Sequence, residues 1–389
     1  MKINKVELIP VSSPLKRPFA MRKETLTTIE SVVIKMHTDA GIVGIGDTGN
    51  VSSWYHGETQ ESIMAIIARI IAPQVLLGED PCKVEKIMDR TDFLVKDNYQ
   101  AKMLVDFALH DIKGRAFGVP CYEFFGGKSA DKLKLGYVMS AFRAEEAVPM
   151  AQKALKEGFG LLKLKMGGDF EEDLEMVGAV RDAVGPGVEM FIDVNGHWHY
   201  KEAMDKIRRL EPFNLSLVEQ PLPAWDIEGM ARLRTRVNTP IYADESAQDL
   251  YDLQRIFRMN AADGLMIKIA KAGGLLKSQR WITLAQSAGM VVMSGCMGGS
   301  GVETAAYTHI LCASAWASRF FQENTGPLHM HDVMNTVDKP ITDDIAVKVP
   351  RIEKGFLYPT DTPGIGAELN EDRVKEIITV GMEPVVVTA

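Results

Sequence analysis

The pattern of apolar and polar positions changes from strand-like to helix-like near residue 58. Before that point, short β-rich runs are separated by turn residues, which predicts a β-meander over residues 1–50. The predicted strands are 6–11, 29–36 and 41–46. From residue 58, apolar side chains recur every three or four positions, which predicts helices over 58–72, 81–96 and 100–117. This part of the chain is therefore expected to form an α+β module.

Beyond residue 127, short apolar runs alternate with longer amphipathic stretches, as in repeated β/α units. Eight runs predict strands, namely 135–138, 161–166, 190–194, 217–219, 241–243, 264–269, 291–294 and 320–323. Their C-terminal ends lie 24 to 29 residues apart, which is the length of one strand, one helix and two loops. This even spacing favours an α/β barrel over an open sheet.

The last 60 or so residues interrupt the β/α rhythm and contain Pro340, Pro350, Pro359 and Pro363. We therefore predict three segments: an α+β module over 1–127, a barrel over 128–328, and a tail over 329–389 that returns to the N-terminal module.

Composition narrows the class of partner. Lys and Arg total 44 against 52 Asp and Glu, so the net charge of −8 provides no basic field for nucleic acid. The sequence shows neither an export signal nor a membrane-length apolar run. The four cysteines are far apart, which is typical of a reduced compartment. We expect a cytoplasmic homo-oligomer that acts on a small molecule.

Charged or polar side chains stand at the ends of five of the predicted strands. They are Lys163 and Lys165, Asp193 with Asn195, Glu219, Asp244 and Lys268. Barrels carry their active sites at the C-terminal ends of the strands. We therefore expect these side chains to meet at one site.

The three acids, Asp193, Glu219 and Asp244, come from consecutive strands. Carboxylates that converge in this way repel one another unless a cation lies between them. Oxygen ligands favour Mg²⁺, with Mn²⁺ as the second choice. The alternative is that each acid is a helix cap or a surface ion pair.

The lysines indicate proton transfer. A lysine in a strand of Leu, Met and Ile is expensive to bury, and Lys165 has a second cation two residues away in Lys163. We expect the neighbouring charge and the metal to favour the neutral amine of Lys165, which is a general base. Three predicted strands lie between those of Lys165 and Lys268, so the two amines are expected to face each other across a substrate. The alternative is that the lysines reach the barrel mouth as surface charges.

Together these groups specify a reaction class. A carboxylate held by a metal could lose its α-proton to a lysine, and the cation and Lys163 would stabilise the resulting enolate. The residues do not specify the substrate.

Five motifs resemble the enolase superfamily, and within it the muconate lactonizing enzyme subgroup. They are LKLKM, DVN, VEQP, ADES and IKIAKAGG. The resemblance implies a modified (β/α)₇β TIM-like barrel with an N-terminal α+β capping domain that the C-terminal tail completes. It also implies Mg²⁺ bound by Asp193, Glu219 and Asp244. Lys165 and Lys268 would be the acid/base catalysts.

Candidate pocket residues carry less information. The tentative set is Asn195, Trp54, Tyr55, His197, Trp198 and Glu323. A cationic loop over 14–28, with Lys16, Arg17, Arg22 and Lys23, would suit a second carboxylate on the substrate. Trp54 and Tyr55 would instead suit an amine. The end of the eighth run lacks the Asp-x-Asp expected of dipeptide epimerases, although Glu323 could hold an ammonium group.

Two other motifs have ordinary explanations. The glycines of GIVGIG have the wrong order for a dinucleotide loop, which favours a hairpin. The pairs His197/His199 and His329/His331 have a spacing that zinc can use, but further ligands are not apparent nearby.

We therefore predict a Mg²⁺-dependent isomerase, a racemase or epimerase of an amino-acid derivative. The nearest alternative is a muconate-type cycloisomerase, followed by a dehydratase that uses the same enolate. A Schiff-base aldolase with Lys165 or Lys268 as nucleophile is more remote. A non-catalytic metal-binding barrel is the alternative outside the enzymes.

Overall fold

The computed structural model describes residues 1–21, 24–166 and 168–389. Its N-terminal part is the predicted meander, with strands β1 (Ile3–Ala20), β2 (Thr25–Thr38) and β3 (Val43–Asp47). The first two strands pair from Ile3 with Thr38 to Ala20 with Thr25. The predicted runs 6–11 and 29–36 are therefore too short, because the polar distal half of this hairpin has no core-facing alternation.

Helices α1 (Ser53–His56), α2 (Gln60–Ile66), α3 (Val84–Leu94) and α4 (Tyr99–Phe117) follow, with a π-helical stretch (Ile67–Leu76) after α2. Helix α4 is buried around most of its circumference. A Cβ on Gly44 would lie 2.2 Å from the carbonyl oxygen of Ala108, so this glycine allows β3 to lie directly on α4. The GIVGIG segment is thus a structural hairpin strand.

Seven parallel strands, hydrogen-bonded in chain order, form the second sheet. They are β5 (Gly136–Met139), β6 (Leu161–Lys165), β7 (Glu189–Asp193), β8 (Val218–Glu219), β9 (Ile241–Ala243), β10 (Gly264–Ile267) and β11 (Val291–Ser294). Helices cover its outer face: α5 (Ala144–Lys156), α6 (Phe170–Val184), α7 (Tyr200–Leu210), α8 (Ile227–Arg234), α9 (Leu250–Met259), α10 (Ile269–Ala272), α11 (Leu275–Ser287) and α12 (Gly301–Ala313). The chain thus has an α/β fold with a curled parallel sheet.

The predicted eighth strand, 320–323, is not a strand. Its backbone still bonds to both edges of the sheet, since Gly136 N donates to Gln322 O at 2.8 Å and Glu323 N donates to Ser294 O at 3.1 Å. The Gln322 amide also donates to the carbonyl of Ala317. The segment is too short for a ladder because a 3₁₀ turn (Ala317–Arg319) precedes it and helix α13 (Gly326–Met330) follows.

Alternation along the strands divides the inner face into two layers. The lower layer is one apolar cluster that joins β6 to β11, composed of Leu161, Phe191, Leu217, Tyr242, Met266 and Met293. Two residues further along five of these strands stand Lys163, Asp193, Glu219, Asp244 and Lys268. Because side chains on one face of a strand recur every two residues, these charged side chains lie directly above the apolar layer.

The tail contributes to both parts of the fold. Strands β12 (Ile352–Glu353) and β13 (Phe356–Leu357) form a small sheet with β4 (Leu133–Lys134). After helix α14 (Glu371–Glu376), strand β14 (Val385–Thr388) pairs antiparallel with β1. Within the described residues, every helix is too short or too polar to cross a membrane.

A buried carboxyl lies where α12 meets the N-terminal module. Burial, aided by the Asp47 carboxylate, raises the pKa of Glu303 to about 8. Between its usual pKa of 4.5 and 8, the folded chain therefore binds more protons than the unfolded chain, and the free energy of unfolding falls as pH rises.

Glu303→Gln cannot ionise, so it should become more stable than the wild type as pH rises from 5 to 8. We expect a relative gain of roughly 1 to 4 kcal/mol, at about 1.4 kcal/mol per pKa unit. Urea unfolding at the two pH values measures it. If the variant and the wild type differed in their free energy of unfolding by the same amount at both pH values, Glu303 would already be ionised in the folded chain.

Candidate active site

The predicted polar side chains come together at the C-terminal ends of β6 to β10. One cavity is lined by Lys163, Lys165, Lys268, Asn195 and Glu323. The acids lie beside it on neighbouring strands, with Asp193 directly opposite Glu219 in the β7–β8 register. Adjacent strands are about 4.8 Å apart, so these charges are close neighbours.

Lys163 is buried among three acids. Its Nζ lies 3.1 Å from Asp193 Oδ2, 2.7 Å from Glu219 Oε2 and 3.0 Å from Glu323 Oε2. Burial opposes its charge, but these carboxylates raise the pKa of Lys163 well above its usual value. Lys163 is therefore a fixed ammonium group, as expected of a group that stabilises negative charge.

Lys165 lies nearer the cavity and is 8% exposed. Its Nζ donates to Asp193 Oδ2 at 2.6 Å and to Asn195 Oδ1 at 3.4 Å. Asn195 in turn donates to Glu245 Oε1 at 3.0 Å. Burial raises the pKa of Asp193, but the two lysines outweigh it and lower the pKa. Asn195 thus orients the side chain of Lys165. This contact is a physical reason to keep Asn195 in the predicted site.

Asp244 holds the second half of the site. Lys268 Nζ donates to its Oδ2 at 2.5 Å, and Lys271 Nζ donates to its Oδ1 at 2.6 Å. Tyr55, from the N-terminal module, donates to Oδ1 at 2.7 Å and accepts from Lys268 at 2.8 Å. The carboxylates outweigh burial and raise the pKa of Lys268.

Glu219 provides the test of whether a divalent cation fits. Both of its oxygens are buried. Among the described residues, Oε1 has no hydrogen-bond partner, and Oε2 lies 2.7 Å from Lys163 Nζ. Burial and Asp193 raise the pKa of Glu219 well above its usual value. Three carboxylates with an under-coordinated member are a donor set that suits Mg²⁺.

The ion-pair geometry differs from that of a metal centre. Over the described parts of the chain, His, Cys, Asp and Glu do not form a group of three arranged to hold a metal. The reason is that the ammonium groups of Lys163 and Lys268 lie against the oxygens of Asp193, Glu219 and Asp244. A cation would compete with these lysines for the same oxygens. The metal assignment stays a prediction.

The pocket set is partly corrected. Trp54 and Tyr55 line the cavity, but their polar atoms are engaged, since Trp54 Nε1 donates to Glu24 at 2.7 Å. Trp198 is buried with its ring 6.1 Å from that of Phe170, and neither it nor His197 is among the described residues of the cavity wall. Both turn away because the chain folds back immediately after β7, where Gly196 has a φ of 72°.

The fold also accounts for the second histidine pair, His329 and His331. His329 packs between Phe19 and Tyr137, and burial lowers its pKa to about 4. His331 instead contacts Asp343 and Asp344 at 3.1 and 3.2 Å. These two rings therefore belong to different surroundings and do not form a zinc pair.

The described charged residues of the predicted cationic loop 14–28 have different surroundings. Lys16 forms an ion pair with Asp343, and Arg17 lines a small cavity beside Tyr137. Arg22 and Lys23 lie outside the described residues.

Sequence reasoning missed two positioning residues. Lys271 is fully buried and donates to Asp244 and to the carbonyl of Met266. Gln220, with a φ of 37°, accepts from the backbone N–H groups of Asp244 and Ser246. The signal for Lys271 was a lysine within the apolar stretch IAKAGG, three residues after Lys268.

Comparison with known proteins identifies the family. Residues 3–126 match the mandelate racemase / muconate lactonizing enzyme N-terminal domain, and residues 146–373 match the enolase C-terminal domain-like family. The chain belongs to the mandelate racemase / muconate lactonizing enzyme family of the enolase superfamily. The resemblance carried by the five motifs is confirmed.

Individual relatives cover the whole fold. A crystal structure of a mandelate racemase/muconate lactonizing family protein from Azoarcus sp. EbN1 is 54% identical, with a TM-score of 0.95 over 100% of both chains. An N-succinyl-L-Arg/Lys racemase from Bacillus cereus is 30% identical over 97% of this chain and 98% of its own. Muconate cycloisomerase 1 from Rhodococcus opacus is 33% identical over 96% of this chain and 98% of its own. The chain is an isomerase of this superfamily.

Proposed function

We propose that the protein is a Mg²⁺-dependent racemase or epimerase of an amino-acid derivative. The observation that carries this proposal is that Lys165 and Lys268, from strands with three others between them in the sheet, line one cavity above buried acids. A similarity to an N-succinyl amino-acid racemase over nearly the whole chain supports it.

The lysines divide the proton transfer between them. In one direction Lys165, as the neutral amine, removes the α-proton of a carboxylate, and Lys268 delivers a proton to the opposite face. In the other direction the roles exchange. Lys163, held as an ammonium by three acids, lies beside the negative charge that develops on the carboxylate oxygens.

The metal would be held by Asp193, Glu219 and Asp244. When bound there, Mg²⁺ would supply positive charge that offsets both the repulsion among these acids and the charge of the substrate's carboxylate. Mn²⁺ has the same ligand preference and is the second choice.

The architecture belongs to the same proposal. We propose that the bonds of Gln322 and Glu323 to β5 and β11 close the sheet as a modified (β/α)₇β barrel. Residues 1–127 would cap the barrel, and the tail would complete the cap through the pairing of β14 with β1. We also propose that the barrel spans 128–328 and the tail 329–389. The protein is proposed to be a cytoplasmic homo-oligomer.

Cycloisomerisation of a muconate-like diacid is the second candidate, because a muconate cycloisomerase is 33% identical. Reaction in D₂O distinguishes the two. A racemase introduces deuterium at the α-carbon of both enantiomers of an acyl-amino acid, whereas a cycloisomerase gives one singly labelled lactone. Failure to exchange any acyl-amino acid, together with lactone formation, would overturn the first proposal.

Tyr55→Phe should slow α-proton exchange of the enantiomer that Lys268 serves by about 10- to 100-fold, the usual worth of a hydrogen bond to a charged group. The reason is that the hydroxyl bridges Lys268 and Asp244, so its loss frees the amine to move. Deuterium exchange from D₂O is measured separately with each single enantiomer. Tyr99→Phe, which removes a hydroxyl 3.4 Å from Asp249, is the matched control. Equal rates for Tyr55→Phe and the control would show that the bridge does not position Lys268.

A further inference from the structure

The cavity above the lysines has two chemically different ends. Its walls come from both the N-terminal module and the strand ends of the parallel sheet. Four of the described residues that line the cavity are charged, and they lie together over the strand ends. They are Lys163, Lys165, Lys268 and Glu323. The rest of the wall is mainly apolar and includes Phe19, Leu26, Ile29, Val138, Met297 and Met330.

The apolar end is built by the β1–β2 hairpin lying against the sheet. Phe19 and Leu26 are directly opposite each other across the hairpin. Ser140, just after β5, bonds to both the N–H and the carbonyl of Ala20, at 2.6 and 3.1 Å. The hairpin is thus fixed over the cavity by its backbone.

The charged residues on the described part of this hairpin are not among those that line the cavity. Lys16 pairs with Asp343, and Glu24 accepts the indole N–H of Trp54 at 2.7 Å. Arg17 lines the separate cavity that contains Asp332. A substrate group placed against the hairpin therefore meets side chains that offer no counter-charge among the described residues.

His329 and Cys296, which belong to the remaining wall, are neutral at pH 7. Burial lowers the pKa of His329 to about 4 and raises the pKa of Cys296 to about 11. Glu323 is 1% exposed and is paired with Lys163 at 3.0 Å. Among the described residues, the wall beyond the lysines and Glu323 is thus uncharged as well as apolar.

We propose that the part of the substrate remote from its reacting carboxylate is an uncharged aliphatic group, such as the acyl chain of an N-acyl amino acid. The inference rests on the proposed function, which assigns the carboxylate to the lysine end. A charged remote group would lose its hydration there without gaining a partner among the described residues, whereas a methylene gains about fourfold in affinity. The specificity would thus differ from that of an N-succinyl amino-acid racemase.

Two substrates of the same shape test the inference. N-(4-methylpentanoyl)-alanine and N-succinyl-alanine differ in that a branched methyl end replaces a carboxylate. We expect the wild type to exchange the α-proton of the neutral compound with kcat/KM at least about tenfold higher. A ratio near one, or a preference for the succinyl compound, would overturn the inference and leave the proposed function standing.

A charge placed in the wall should move the preference. Leu26→Lys adds a cation at the apolar end, and we expect it to raise kcat/KM for the succinyl compound and lower it for the neutral one. Thr27→Lys is the matched control, because Thr27 is exposed and is not among the described lining residues. If both variants shifted the ratio equally, the cause would be overall charge and the assignment of this wall would be wrong.

Binding separates this inference from the chemistry. The 2-aminoisobutyrate analogues of the two compounds have no α-proton, so calorimetry with Mg²⁺ present measures their affinity alone. Tighter binding of the neutral analogue without exchange of either alanine compound would overturn the proposed function and keep the apolar pocket. Tighter binding of the succinyl analogue would overturn the pocket assignment.

Discussion

Glu219→Gln and Asp193→Asn should each abolish turnover and weaken Mg²⁺ binding at least about 100-fold, while the chain stays folded. A ligand should matter at least as much as the outer-shell partners of a metal, whose loss costs about 10- to 100-fold. Neither substitution changes the shape of the side chain. Glu219→Gln removes one of the three acids paired with the buried Lys163, but Asp193 and Glu323 remain, so the midpoint of thermal unfolding should change little.

Asp244→Asn should be less stable than the other two variants, because Asp244 is the only described acid paired with Lys271, whereas Lys163 keeps two acid partners in each of them. It also abolishes activity, but its carboxylate pairs with both Lys268 and Lys271, and Lys271 is fully buried. Removing one partner from a buried ion pair costs about 3–5 kcal/mol, so the free energy of unfolding should fall by that amount.

Calorimetry and urea unfolding measure these expectations together. Glu303→Gln, which removes a buried acid outside the cavity, is the matched control and should bind Mg²⁺ like the wild type. If Asp193→Asn and Glu219→Gln bound Mg²⁺ as tightly as the control, the metal assignment would be wrong whatever their activity.

The layered inner face of the sheet could be predicted from the sequence because strand geometry is local. Lys163 and Lys165 share a face since they are two residues apart, and an apolar run directly before each charge marks a buried strand. The strand ends were therefore located to within a residue or two. The length of the β1–β2 hairpin could not be predicted, because its distal half is stabilised by contact with Ser140 rather than by its own alternation.

Contacts between distant segments explain what was missed at the site. Tyr55 was interpreted as a surface for an amine, yet its hydroxyl joins Asp244 to Lys268, 189 and 213 residues away. Lys271 was quoted within a motif without a role because its partner lies on the preceding strand. Periodicity assigns a residue to a face, but it does not identify which charge on another element lies opposite.

Lys165→Ala and Lys268→Ala should each stop racemisation in both directions and lose proton exchange asymmetrically. In a two-base mechanism each lysine serves one enantiomer, so Lys165→Ala should still exchange the α-proton of the enantiomer that Lys268 serves, and the reverse should hold for Lys268→Ala. Each missing acid/base should cost at least about 10²–10⁴ in rate.

Lys163→Ala provides the contrast, because Lys163 contacts Asp193, Glu219 and Glu323 and would assist the charge common to both directions. It should slow the exchange of both enantiomers alike. The readout is deuterium incorporation from D₂O into each pure enantiomer, followed by NMR, with thermal unfolding as the check on folding.

Lys268→Ala removes one partner of Asp244. Lys271 still donates to the Oδ1 and the backbone oxygen of Asp244. Lys268→Ala should therefore remain folded, and full exchange of both enantiomers by both single variants would show that neither lysine is the base.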